Sequence, residues 1–147
     1  MRKITVNDLK ELGACGEAID WMKKTYPDGV DITDEVLLSV PDKKWIVWLA
    51  SKLNPILGYT WAGIALRYAA EFTPSLAQYA DNVTPENLHQ AKCDVANALV
   101  FNVFDAVASV HTAYAAAINT ADVADNDTTR NIILDEMIVI SAQFLQE

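Results

Sequence analysis

The stretch Pro41-Asp-Lys-Lys-Trp45-Ile-Val-Trp48-Leu49-Ala-Ser-Lys52-Leu53-Asn-Pro55 decides the fold class. Trp45, Trp48, Leu49 and Lys52 fall at the i, i+3, i+4, i+7 spacing of one helical face, and Asn54-Pro55 stops the run. The period then resumes: Leu57, Trp61, Ile64, Ala65, Tyr68 and Phe72 form a second helical stripe, which Pro74 ends or redirects.

Upstream, the punctuation is dense. Thr5 to Asp8 has the form of a capping box, and Gly13 closes that short helix. Gly16 to Thr25 is predicted as a second helix, with Ala18, Trp21 and Met22 on its apolar face and Lys23-Lys24 suiting the dipole of its last turn. Tyr26-Pro-Asp-Gly29 reads as a turn, and Thr33 as the cap of a short helix through Val36, Leu37 and Leu38.

Downstream, the punctuation disappears. Thr84-Pro85-Glu86 opens a helix with Thr at the cap and Pro at the first position, and no Gly or Pro follows to the last residue. A helix from 84 to 119 would be about 36 residues and about 54 Å long, against about 40 Å across a domain of this size. The spacing therefore predicts either a kink or a projecting surface for a homodimer. Ala121 to Asn126 is an acidic loop, and Asp127 caps a final helix to about Leu145. Ile138-Val-Ile140 has strand composition, but Ile133, Met137, Ile140 and Phe144 keep the helical period.

With 147 residues, 52% of them apolar, the chain has ample material for one core. The expectation is an all-α, single-domain bundle over 1–147 with six to eight helices: short ones first, one long central helix, then a C-terminal helix. Its two parts differ in charge. Residues 1–53 carry nine acids and eight bases, whereas 54–147 carry eleven acids and only Arg67, Lys92 and Arg130, so nearly all of the net −9 lies in the second part. That balance argues against direct nucleic-acid binding and for a protein partner with a basic surface. Asp94, Asp105, Asp122, Asp125 and Asp127 are the candidate partner-binding acids.

Two cysteines make no disulfide framework, and Cys15 and Cys93 read as reduced, buried thiols of a cytoplasmic protein. The apolar region from Ala96 to Ile118 is broken by Asn97, Asn102, Asp105 and His111, so no membrane span is expected. His89 and Cys93 share a helical face, but a zinc site would also need Cys15 and a fourth ligand such as His111, about 33 Å further along an unbroken helix. Glu86-x-x-His89 has no second copy for a di-iron site, and Asp122, Asp125 and Asp127 lack the register of a calcium loop. Ser109 and His111 point in different directions on a helix, and no nucleophile elbow or phosphate-cradling glycine loop occurs. No cofactor, metal or catalytic residue is expected.

The four tryptophans, at 21, 45, 48 and 61, fall within the first 61 residues and read as core or, alternatively, as an aromatic ligand pocket. The pattern Ala14-Cys15-x-x-Ala18-x-x-Trp21, then Trp45-x-x-Trp48-Leu49, resembles small helical immunity-protein-like proteins of bacteria and phages, over about the first 50 residues. Lys44 stands where such proteins often carry an acid. The resemblance implies an all-helical fold in a bacterial cytoplasm and a non-catalytic role, binding and neutralising another protein. It implies Cys15, Trp21, Trp45 and Trp48 as the shared core. The competing expectations are a small-ligand-binding helical domain and a structural homo-oligomer.

Overall fold

In the computed structural model, the residues described are 2–70, 74–81, 83–84, 86–87, 89–90, 116–117, 120 and 127–147. Local chemistry accounts for the first elements. The Thr5 Oγ1 accepts the Asp8 N–H at 3.2 Å while the Asp8 carboxylate accepts the Thr5 N–H at 2.8 Å, a capping box that starts α1 (Val6–Leu12). Gly13, in the left-handed region at φ 82°, closes it. Helix α2 (Gly16–Thr25) follows, and the Gly29 N–H donates to the Tyr26 carbonyl at 3.0 Å to make the expected turn.

The turn leads into a strand pair that the sequence periodicity does not announce. Two short strands, β1 (Lys3–Ile4) and β2 (Val30–Asp31), pair antiparallel with Lys3 opposite Asp31 and Ile4 opposite Val30. The Ile32 N–H extends the ladder to the Arg2 carbonyl at 2.8 Å, and Ile4 and Ile32 are buried. Gly29 permits the approach, since a Cβ there would lie 2.9 Å from the Ile4 carbonyl oxygen.

Thr33 caps α3 (Asp34–Ser39) through the Val36 N–H. The far end of α3 is held by an ammonium: Lys43 Nζ donates to the carbonyls of Leu37, Leu38 and Val40 at 3.0, 2.8 and 2.8 Å. All three of its protons go to carbonyls at or just past the helix end, of which the Leu37 oxygen also accepts the Val40 N–H. Lys43→Met should therefore cost about 1–2 kcal/mol in urea denaturation, whereas Lys24→Met, at an exposed position of α2, should cost under about 0.5 kcal/mol.

Helix α4 (Lys44–Leu53) departs from the expected stripe. Its sealed residues are Ile46, Val47, Ala50 and Ser51, one position round from Trp45, Trp48 and Leu49, which stay half-buried. The small side chains at 50 and 51 admit neighbouring helices, and two indoles could not be accommodated as closely. Helix α5 (Leu57–Ala69) is buried all round from Trp61 to Leu66, with Trp61 fully enclosed and its Nε1–H donating to Ser51 Oγ at 3.2 Å. A 3₁₀ turn at Pro74–Leu76 leads into α6 (Ala77–Ala80), which packs on α5.

The last helix, α7 (Asp127–Leu145), makes its most extensive packing with α4. It buries Ile133, Met137, Ser141 and Leu145, a ridge of every fourth residue, while Ile140 and Phe144 are only half-buried. The Arg67–Glu136 ion pair at 3.0 Å joins α5 to α7, but both partners are solvated and it contributes little. Arg2 lies 4.9 Å from the Phe144 ring centroid, and Gln146 donates to Asp34 at 2.7 Å. One apolar core thus joins Ile4, Leu9, Met22 and Leu37 to Trp61, Met137 and Leu145, so the two compositional parts share it.

Seven α-helices and one two-stranded ribbon occur among the described residues, an all-α fold. None of those helices is long and apolar enough to cross a membrane. Thr84 accepts the Asn87 N–H at 3.1 Å, and 86–87 and 89–90 are helical, as expected for the start of the long helix. Most of the expected 84–119 helix, and with it the homodimer surface, lies outside the described residues. Just past its expected end, Thr120 Oγ1 donates to the Ala116 carbonyl at 2.6 Å and to the Trp61 carbonyl of α5 at 3.0 Å.

Candidate functional site

The starts of α2 and α4 converge on a cleft of about 280 Å³. One wall is the chain between α1 and α2, Gly13, Ala14 and Cys15, together with Ala18. The other is the approach to α4 and its first turns: Asp42, Lys44, Trp45 and Trp48. Sequence explains the opening. Gly13 and Ala14 carry no bulk, and Ala18, the small residue of the first turn of α2, faces indoles across the gap.

Cys15 corrects two expectations. Its thiol is exposed, neither buried nor part of a sealed core. It occupies the N-cap of α2 in extended conformation with no side-chain cap bond, so the residue stands at the surface where the helix begins. The tryptophans are divided as well. Trp61 is the core tryptophan, whereas Trp21, Trp45 and Trp48 are half-buried. The Trp21 ring lies 6.2 Å from Trp45, tilted by 54°, and 5.7 Å from Tyr26 in an edge-on arrangement. These contacts join Trp21, Tyr26 and Trp45 in one aromatic cluster.

Ala18, Trp45 and Trp48 also line a smaller cavity of about 70 Å³ whose other walls include Trp21, Met22 and Leu37. Its lining is apolar, so it favours hydrocarbon over water. The cleft by contrast has a polar rim. Asp42 Oδ1 accepts the Lys44 backbone N–H at 3.0 Å, which starts α4, and the side chains of both residues are exposed. The Lys44 ammonium has no ion-pair partner among the described residues.

The sequence reading missed Asp42 and Lys44 as site residues. The signal was present in the polar run Pro41-Asp-Lys-Lys44 directly before the tryptophan pair, and in Lys44 replacing an acid. Of the predicted acids, Asp127 is exposed in the first turn of α7 and is not among the residues that line the cleft. Asp94, Asp105, Asp122 and Asp125 lie outside the described residues, as do Cys93 and His111 of the zinc set. Among the described residues no group of three or more His, Cys, Asp or Glu could hold a metal ion. What the cleft offers chemically is aromatic surface, one carboxylate, one ammonium and one thiol. No protein-family model matches this chain, and no curated protein or solved structure matches it either.

Proposed function

We propose that this chain is a non-catalytic interaction protein that binds and blocks another protein, and that the tryptophan cleft is its recognition element. One observation carries the reading: Trp45 and Trp48 line unfilled space and are only half-buried, with Trp45 braced by the Trp21 ring, while Trp61 is sealed in the core. Tryptophan is the residue most enriched at interface hot spots, and a rigid indole loses little entropy when a partner covers it. Exposed acids at Asp81, Glu86, Asp127 and Asp135 add a field that steers a basic partner. The resemblance of the segment from Ala14 to Leu49 to immunity-like proteins supports the same reading, with a bacterial cytoplasm as its setting.

Cys15 supplies the test, because its thiol lies on the cleft wall. In a Cys93→Ser background, a photo-crosslinker on Cys15 should capture one protein from a lysate of the cells that carry this chain. Trp45→Ala should abolish the capture. Capture that survives Trp45→Ala, or none at low salt, would remove the cleft as the protein-binding element.

A small-ligand reading has its own support, since the 280 Å³ between the helices are not filled by side chains.

A further inference from the structure

We infer that the tryptophan cleft binds a free α-amino acid with a large apolar side chain, its carboxylate on Lys44, its ammonium on Asp42 and its side chain against Trp45 and Trp48. The inference rests on the cleft being a recognition element and supplies the chemistry of a small ligand for it.

Size limits the ligand first. The cleft, about 280 Å³ and partly open to solvent, has room for a side chain the size of leucine or phenylalanine. The walls limit it next. Two indoles and Ala18 favour an apolar substituent, whose burial there is worth about 25 cal/mol for each Å² covered.

The rim decides the charge. Asp42 and Lys44 stand two residues apart on the same wall, yet no ion pair joins them, and neither pairs with another described residue. Asp42 commits Oδ1 to the Lys44 N–H, which leaves its second oxygen for a ligand. A ligand of one sign would satisfy one of these groups and face a like charge at the other. A zwitterion answers both, offering its ammonium to Asp42 and its carboxylate to Lys44.

Isothermal titration separates the options. The probes are L-phenylalanine, L-leucine, 3-phenylpropionate, which lacks the amine, and phenethylamine, which lacks the carboxylate. At least one amino acid should bind, and each single-charge analogue should bind about tenfold more weakly, the loss of one charge-assisted hydrogen bond. Lys44→Met should weaken the amino acid about tenfold and leave phenethylamine unchanged or tighter. Asp42→Asn, which keeps an acceptor for the Lys44 N–H, should weaken the amino acid and spare phenylpropionate. Both positions are exposed, and far-UV circular dichroism checks that the variants fold.

Three results would overturn the inference: no amino acid binding up to about 10 mM, equal affinity for the single-charge analogues, or indifference to both substitutions. Trp45-dependent protein capture without amino-acid binding would sink this inference alone. Amino-acid binding without protein capture would sink only the protein-blocking reading.

Discussion

Trp61→Ala should remove about 3–5 kcal/mol of stability, a large share of the 5–15 kcal/mol typical of a domain. Trp61 is wholly enclosed on a helix whose residues from 61 to 66 are all buried. Around it stand Ser51, whose hydroxyl accepts its Nε1–H, and Thr120, whose hydroxyl reaches its carbonyl. Removing the indole leaves a void in a rigid neighbourhood and strips Ser51, itself 3% exposed, of its donor. Trp61→Phe separates the two effects: it keeps most of the volume, loses the N–H, and should cost about 1–2 kcal/mol. Trp48→Ala, on the half-open cleft wall, should cost less than half as much as Trp61→Ala. Urea denaturation followed by far-UV circular dichroism measures all three. Equal losses for Trp61→Ala and Trp48→Ala would mean that the two tryptophans do not divide into core and cleft.

That division is what the sequence conceals. Caps and turns were legible because they are local. Thr5 with Asp8, Gly13, Tyr26 to Gly29 and Thr33 each act over three or four residues, and the structure uses all of them. The strand pair was not legible. Lys3–Ile4 and Val30–Asp31 are too short to show alternation, and they pair only because two helices and a turn return the chain to them. Helix α4 carries two apolar faces, Trp45-Trp48-Leu49 and Ile46-Val47-Ala50, and periodicity cannot say which is sealed. The answer came from outside the helix, since α7 packs against α4 and Ala50 and Ser51 let neighbours approach. The cleft follows from that rotation. Once the 46–47–50–51 face is committed to the core, the indoles of 45 and 48 turn to a shoulder beside α2. Cys15 was misread for a related reason: rarity and apolar character suggest burial, but a helix N-cap is a surface position.

Gly63→Val should destabilise by at least about 2 kcal/mol, and Gly63→Ala should also destabilise although it replaces glycine inside a helix. In an open helix the same change gains about 0.5–1 kcal/mol, because alanine has less backbone entropy to lose. The sign is reversed here by a close approach. A Cβ on Gly63 would lie 2.9 Å from the Ala80 carbonyl oxygen and 3.3 Å from Val83 Cγ2. The first obstacle is backbone, which cannot rotate aside, so α6 would have to move off α5. Gly16 is the internal control. It lies in the first turn of α2 with nothing within 4 Å of its would-be Cβ. Gly16→Ala should therefore be neutral or stabilising by a few tenths of a kcal/mol. Thermal unfolding of both alanine variants should give shifts of opposite or clearly unequal sign. The test reaches beyond one contact, since Ala80 leads directly to Thr84, where the next helix begins. If Gly63→Ala is as stable as Gly16→Ala, then α6 does not pack as closely on α5 as the 2.9 Å approach requires.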